Sequence, residues 1–430
     1  MRGFFYKTLN KYLQVFIRPE DSLLVVDPED EKLFSEHSHK DIVHHRTGES
    51  SLSSVKNKAY SYILLNGNVH YERDIETFLN SIHSVCSSET RVAVTYFSTL
   101  WKPVLRLATF LRLRRKTEES NWVTHEDIAN LLLLSDFEII RREGKILFPI
   151  YIPLISHFLN RYLAPLPFFR NFTLVNILIA RPLFQDEKRK KLSVSVVVPA
   201  RNESGNIEKI IERLPKMGPD DELIFVEGNS TDDTWQKIQE YAAKYKNEKN
   251  IRIFQQEGKG KGDAVRKGFS NAEKDILMIL DADMTVPPED LPRFYSAIVK
   301  GKGEFINGSR LVYPMEKEAM RFFNLLGNKF FAMAFSFVLG QRFKDTLCGT
   351  KVLTRENYIL LSKNRSYFGE FDPFGDFDLI FGAARMGLKI VEIPIIYRER
   401  TYGTTNISRW KHGAILLGML IFAARKIKFI

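Results

Sequence analysis

Cysteine is almost missing from this chain, with Cys86 and Cys348 the only two in 430 residues, far apart and in no metal-ligand spacing. That excludes a disulfide framework or a zinc site as an organising feature, and it fits a reducing cytosolic location. Long apolar runs are lacking as well. The N-terminal MRGFFYKTLNKYLQVFIRPED breaks its apolar residues with lysines and has no uninterrupted signal-peptide core, so no export is expected. Segment 319–340 is rich in phenylalanine but interrupted by Arg321 and Lys329. Segment 413–424 falls far short of the ~20 residues that cross hydrocarbon. Glycine is scarce at the front, where Gly3 and Gly48 are the only two before Asn66. Acids are outnumbered, 52 Asp and Glu against 63 Lys and Arg, for a net charge of +11 that favours anionic partners. No recognition-helix pattern, zinc finger or aromatic RNA-binding signature accompanies that charge, and the cations cluster beside apolar helices. Nucleic acid is therefore not an expected partner.

What is present describes a globular chain of two or three domains, 44% hydrophobic and 27% charged. The most informative stretch is 276–286, ILMILDADMTV, where an unbroken apolar run delivers Asp281 and Asp283 one residue apart. A run apolar on both faces fits the centre of a parallel sheet covered by helices. Ligand sites in such sheets lie beyond the carboxyl ends of the strands. Two carboxylates there suit Mg²⁺ or Mn²⁺ shared with the phosphates of a nucleotide diphosphate. The same pattern also fits a strand-end turn in which the aspartates only cap the following helix.

In chain order, residues 1–21 have helical spacing of Phe4, Phe5, Leu9 and Leu13, fitting a helix packed on a core or lying on a membrane. Short strands are expected at 23–26 and 60–65, with a polar, serine-rich stretch between them. His37, His39, His44 and His45 fall in that stretch and are read as a solvated loop, not a metal cluster. A helix near 74–85, a strand at 91–96 and a helix from about Leu100 follow. Next come a helix opened by the capping pair Thr124 and Asp127, and strands at 137–140 and 174–180, completing an α/β alternation. The charged run 186–191, DEKRKK, is taken as the boundary. Beyond it the strands 192–199, 222–226 and 251–254 each feed a loop on the edge that carries Asp281 and Asp283. The third loop holds Gly258, Gly260 and Gly262 with Lys259 and Lys261, a set that fits either a phosphate cradle or a solvated turn.

The motifs VVVPARNE, VEGNSTDDT, GKGKGDAVRKGF, LDADM, NGSR, CGTK, FGDFDL and RERTYGTTN follow in order through residues 192–410. This half resembles an inverting glycosyltransferase of family two with the GT-A nucleotide-sugar fold, close to the dolichyl- or polyprenyl-phosphate sugar synthases. The resemblance implies that Pro199, Arg201 and Glu203 frame the nucleotide. Glu227 then holds the base where relatives more often carry Asp, Lys261 meets phosphate, and Asp281 and Asp283 set the metal and diphosphate. It places Arg310 and Arg400 against donor or acceptor phosphate, with Arg321 a further candidate. FGDFDL resembles the family's catalytic-acid stretch, with Gly375 standing where many members have Glu. Asp376 is accordingly the first choice for a general base and Asp378 the second. An alcohol acceptor requires that base, whereas a lipid phosphate is already anionic and needs only orientation. Both aspartates also fit plain capping of the helix that follows.

The resemblance implies a nucleotide-diphosphate sugar donor, a lipid-linked acceptor and a divalent metal. From Arg398 onward seven Lys or Arg face the single acid Glu399, so segment 411–430 is expected as an amphipathic helix at the membrane interface. The protein is then cytoplasmic and peripheral on the inner face of the membrane. The competing readings are a non-catalytic nucleotide-sugar or lipid-binding scaffold, and a transferase with a non-lipid acceptor. Residues 1–185 resemble, in strand order and in YSYILLNG, a Rossmann-like class I methyltransferase domain. A working S-adenosylmethionine site of that fold needs a glycine-rich turn after the first strand. Here Pro28-Glu29-Asp30-Glu31 follows instead, and 35–54 offers no clear second strand, so no S-adenosylmethionine is expected. The expected layout is 1–185, a linker at 186–191, 192–410 and 411–430.

Overall fold

The computed structural model describes residues 2–26, 33, 42–45, 58–112, 121–184, 191–312, 322–363, 365, 377–398, 400, 402 and 409–430. The chain divides into two compact units, Met1–Glu187 together with Arg425–Ile430, and Lys188–Ala424.

The first unit is a sheet of β1 (Leu23–Val26), β2 (Ile42–His45), β3 (Tyr62–Asn66), β4 (Arg91–Phe97), β5 (Phe137–Lys145) and β6 (Val175–Pro182), ordered β2-β1-β3-β4-β6-β5. Strands β2, β1, β3 and β4 run parallel, and β6 is antiparallel to both β4 and β5. Helices α1 (Arg2–Leu13), α2 (Ile75–His83), α3 (Lys102–Phe110), α4 (His125–Leu134) and the single turn α5 (Ile155–Phe158) connect or flank the strands. Both α2 and α4 start where their polar caps dictate. Asp74 accepts the Thr77 N–H, and Thr124 and Asp127 form a reciprocal capping box. The core beneath them joins Leu24, Ile63, Leu65, Phe78, Leu79 and Val94.

Strand β2 corrects the sequence reading. A parallel strand does lie inside the stretch 35–54, and His44 and His45 belong to it and not to a loop. Ile42 and Val43 are its only apolar residues, and the strand sits at the sheet edge, where partial exposure tolerates polar side chains and erases the alternation that would reveal it. His37, His39 and the turn Pro28-Glu29-Asp30-Glu31 lie outside the described residues.

The second unit opens with β7 (Val194–Ala200), α6 (Ile207–Arg213), β8 (Glu222–Glu227), α7 (Thr234–Lys244), β9 (Asn250–Gln255), α8 (Lys261–Asn271) and β10 (Ile276–Ile279). It continues through α9 (Leu291–Val299), β11 (Phe305–Ser309), α10 (Phe322–Leu339), β12 (Lys351–Thr354), α11 (Arg355–Lys363), α12 (Phe377–Arg385), β13 (Ile390–Pro394) and α13 (Arg409–Ala423). The sheet order is β13-β11-β12-β10-β7-β8-β9. Strands β10, β7, β8 and β9 are parallel, so their carboxyl ends share one edge. The expectation of a wholly parallel surround for β10 fails on its other side, where β12 pairs with it antiparallel. All four residues of β10 are buried, and each such side chain contributes about 1.5–3 kcal/mol by leaving water. That burial fixes the strand from which Asp281 and Asp283 emerge. Among the described residues, no helix is long and apolar enough to cross a membrane.

Candidate active site

Three loops leave the shared edge through residues with left-handed backbone: Asn202 after β7, Asn229 after β8 and Met284 after β10, at φ 56°, 56° and 55°. Asparagine visits this region readily, but methionine pays roughly 1–2 kcal/mol for it. Local hydrogen bonds hold Met284 there. The Thr285 N–H and Oγ1 both donate to Asp283 Oδ1, at 3.1 and 2.8 Å, and the Met284 N–H reaches the Asp281 carbonyl at 3.3 Å. One oxygen of Asp283 is thus tied into its own turn while the other, Oδ2, remains for a partner.

The first two loops are laced together. Asn202 Oδ1 accepts the Thr231 N–H at 2.8 Å, the Asn202 N–H donates to Ser230 Oγ at 3.0 Å, and the Glu203 N–H donates to Thr234 Oγ1 at 3.0 Å. Glu227, buried at the end of β8, accepts the Ser230 N–H at 2.5 Å and Gln255 Nε2 at 3.2 Å.

Five charged groups converge on this frame from four segments. Lys261, the first residue of α8, places Nζ 2.5 Å from Asp281 Oδ1. Arg400 donates through one terminal nitrogen to Asp283 Oδ2 at 2.7 Å and through the other to Glu203 Oε1 at 3.2 Å. Asn206 Nδ2 donates to the second Glu203 oxygen at 2.8 Å. Burial pushes the Glu203 carboxyl up to about 7, with Asp283 and Asp281 adding to the effect and Arg400 opposing it. Tyr402 comes down beside these groups, its hydroxyl 2.9 Å from Ser204 Oγ. Its ring lies so near Gly205 that a Cβ there would come within 2.7 Å. Gly349 is tighter still, because a Cβ would overlap the Asp281 carboxylate and Lys261 Nζ. Only glycine lets backbone pass so close to that carboxylate.

The structure therefore gathers Glu203, Lys261, Asp281, Asp283 and Arg400. Pro199 lies on β7, half-buried, and Arg201 is exposed beyond its end. Two expected residues are engaged elsewhere. Arg310 makes a buried two-pronged pair with Asp345, Nε to Oδ2 at 2.6 Å and the terminal nitrogen to Oδ1 at 2.8 Å, under the Tyr397 ring. That guanidinium fork, just beyond the end of β11, is filled here by the Asp345 carboxylate. Asp378, in the first turn of α12, accepts from Arg365 Nε at 2.8 Å. Asp376 and Arg321 lie outside the described residues. The sequence points to no role for Gly349 or Tyr402. CGTK and RERTYG were visible as motifs, but nothing in them states that Gly349 meets Asp281 or that Tyr402 covers Gly205.

Residues 195–356 match the family model described as Glycosyl transferase family 2. The chain is 31% identical over 223 residues to a dolichol-phosphate mannosyltransferase of Pyrococcus furiosus, covering 50% of this chain and 59% of that protein. It is 31% identical over 167 residues to a dolichyl-phosphate hexose transferase of Haloferax volcanii, covering 38% of this chain and 68% of that protein. With an undecaprenyl-phosphate 4-deoxy-4-formamido-L-arabinose transferase of Proteus mirabilis it shares 26% identity over 221 residues, 50% of this chain and 63% of the relative. Among solved structures, glucosyl-3-phosphoglycerate synthase from Mycobacterium tuberculosis in complex with Mn²⁺, uridine diphosphate and glucosyl-3-phosphoglycerate aligns with a TM-score of 0.41 and 20% identity. That alignment covers 58% of this chain and 86% of the other. The protein is a glycosyltransferase. The chain belongs to glycosyl transferase family 2.

Proposed function

We propose that the unit Lys188–Ala424 transfers a sugar, with inversion, from a nucleoside diphosphate sugar to a polyprenyl phosphate at a membrane surface, with a divalent metal bound. The observation that carries this reading is the convergence of Asp281, Asp283 and Glu203 with Lys261 and Arg400 at the carboxyl edge of a parallel sheet. The named relatives act on dolichyl or undecaprenyl phosphates, which supports the acceptor class.

The residues present fit a hard cation. Asp281 and Asp283 offer carboxylate oxygens, and among the described residues no third His, Cys, Asp or Glu completes a cage. A two-carboxylate site is what Mg²⁺ or Mn²⁺ uses when substrate phosphates supply further ligands. The bound ion would neutralise charge on the departing diphosphate. Lys261 and Arg400, now held on those carboxylates, are the cations that would turn to the diphosphate as donor binds, and Arg400 is suited to a two-pronged phosphate contact. Pro199, Arg201 and Glu203 would frame the nucleotide, and buried Glu227 would fix the loop against which the base lies. The acceptor oxygen forms its bond to the anomeric carbon as the carbon–oxygen bond to the diphosphate breaks. With a phosphate acceptor no proton need be removed, so Asp376 and Asp378 would orient it. Arg310 would act through Asp345 by fixing the end of β11.

We further assign 192–410 to a GT-A-type domain and 411–430 to an interfacial helix, with 186–191 as linker. Residues 1–185 would be a methyltransferase-like scaffold that binds no S-adenosylmethionine. Its four parallel strands with an antiparallel strand inserted beside β4 support that kinship. The site of action would be the cytoplasmic face of the membrane. The test is transfer by the full chain from a panel of radiolabelled nucleotide sugars to polyprenyl phosphate in detergent, with and without chelator. Lipid-linked product that disappears on chelation is expected. Product formed only on a soluble acceptor, or binding of a nucleotide sugar with no turnover, would overturn the reading.

A further inference from the structure

The first unit carries apolar side chains that its own core does not cover. Helix α3 has no buried residue, and Leu107 and Phe110 project from it, Phe110 being 83% exposed. In the segment 150–172, Leu154 and Phe168 are 87% and 69% exposed, and Phe158, between them in sequence, is open as well. The start of α3 and the end of that segment meet. Trp101, just before α3, donates its indole N–H to the Phe172 carbonyl at 2.8 Å, and the Phe172 ring meets that of Phe168 at 5.3 Å. Leu154 presents its side chain from a backbone at φ 64°, a conformation that leucine rarely adopts and that a merely solvated loop would relax.

Charge distinguishes what can cover this surface. Residues 98–116 contain no Asp or Glu, nor do residues 146–185, while Lys102, Arg106, Arg112, His157, Arg161 and Arg170 are interspersed with apolar residues in those stretches of sequence. A protein partner or a second copy would have to desolvate these cations, and the second copy would oppose them with the same sign. A bilayer with anionic headgroups takes leucine and phenylalanine into its acyl boundary, seats Trp and Tyr at the interface, and pairs its phosphates with the cations above.

We propose that α3 and the segment 150–172 form a docking face for an anionic lipid surface, distinct from the C-terminal helix. The proposal deepens the membrane part of the function above and rests on it only for context, because docking is read without donor or acceptor. The experiment is sedimentation of the full-length protein with vesicles of phosphatidylcholine alone or mixed with phosphatidylglycerol. Phosphatidylglycerol should raise binding strongly. The triple variant Phe110→Glu, Leu154→Glu, Phe168→Glu should bind at least about tenfold more weakly for each side chain replaced, with an unchanged circular dichroism spectrum because all three are exposed. It should still turn over a short-chain polyprenyl phosphate in detergent. Arg106→Glu with Arg112→Glu should weaken binding to the anionic vesicles while leaving the residual binding to phosphatidylcholine alone as it was. Full vesicle binding by the triple variant would overturn the proposal. So would equal binding to both vesicle types, or a lipid-free dimer that the triple variant abolishes.

Discussion

At Asp283 the two carboxylate oxygens do different work, since Oδ1 accepts both Thr285 donors and Oδ2 meets Arg400. Asparagine keeps an oxygen acceptor for the turn and loses the charge. Asp283→Asn should therefore lower transfer by roughly a hundredfold or more while the thermal midpoint stays within about two degrees. Initial rates and calorimetry on one preparation check this, and near-wild-type rates with Mg²⁺ would remove Asp283 from the proposed metal site. Gly349→Ala makes a geometric test. Its Cβ must displace the Asp281 carboxylate and Lys261 Nζ, and misplacement by about 1 Å costs on the order of a hundredfold in rate. Rate should fall more than stability; equal rates would show that the carboxylate moves aside without consequence. Asp281 and Asp283 were legible because an apolar run ending in two spaced acids has few readings. Gly349 was not, because its constraint arises only when the loop before β12 is laid against the end of β10.

Strand and helix elements were legible where burial imposes a period and hidden where it does not. The capping pair at α4 and the runs in β4, β6, β7, β8 and β10 declare themselves through caps and continuous apolar residues. Strand β2 has four residues at an edge, and β12 has a lysine at its start, so neither shows a pattern. Arg310 pairs with Asp345, whose side chain is wholly buried, and removing one partner of such a pair leaves a desolvated charge. Arg310→Ala should destabilise the second unit by about 3–5 kcal/mol. Adding Asp345→Ala should cost much less than the sum of the single changes. Urea unfolding of both single variants and the double variant makes the check. A large loss of transfer with unchanged urea midpoints would return Arg310 to the phosphate role that its motif suggested.

At the scale of the whole molecule, the last six residues, Arg425–Ile430, group with the first unit, although the chain reaches them from the last helix of the second. The basic C-terminus is expected to turn its cations to headgroups, and Lys428 departs from that expectation. Its ammonium is buried and donates to both oxygens of Glu143, at 3.0 and 2.8 Å, a partner 285 positions away that no local pattern could reveal. Glu143 also receives Arg141, Nε donating at 2.9 Å. Lys145 lies 3.9 Å from the same carboxylate, over the ring of Tyr12 at 4.6 Å. One carboxylate thus faces three cations in a dry site. Burial drives the Lys145 ammonium down to about 7, with Lys428 and Arg141 adding to the effect and Glu143 opposing it. In the unfolded chain Lys145 keeps its ordinary value of 10.5. Between those two values the unfolded chain binds a proton that the folded chain has released, so stability gains from Lys145 as pH rises through that window. Below about 7 both states are protonated, and folding bears the full cost of a buried, crowded ammonium. Lys145→Met removes the proton from both sides. The variant should equal or exceed the wild type in thermal midpoint near pH 6.5, as replacement of a surplus buried charge by an apolar chain of similar length allows. The wild type should then gain on the variant steadily toward about pH 9. A constant difference across that range, measured by calorimetry in buffers of matched ionic strength, would show that Lys145 stays charged in the folded protein.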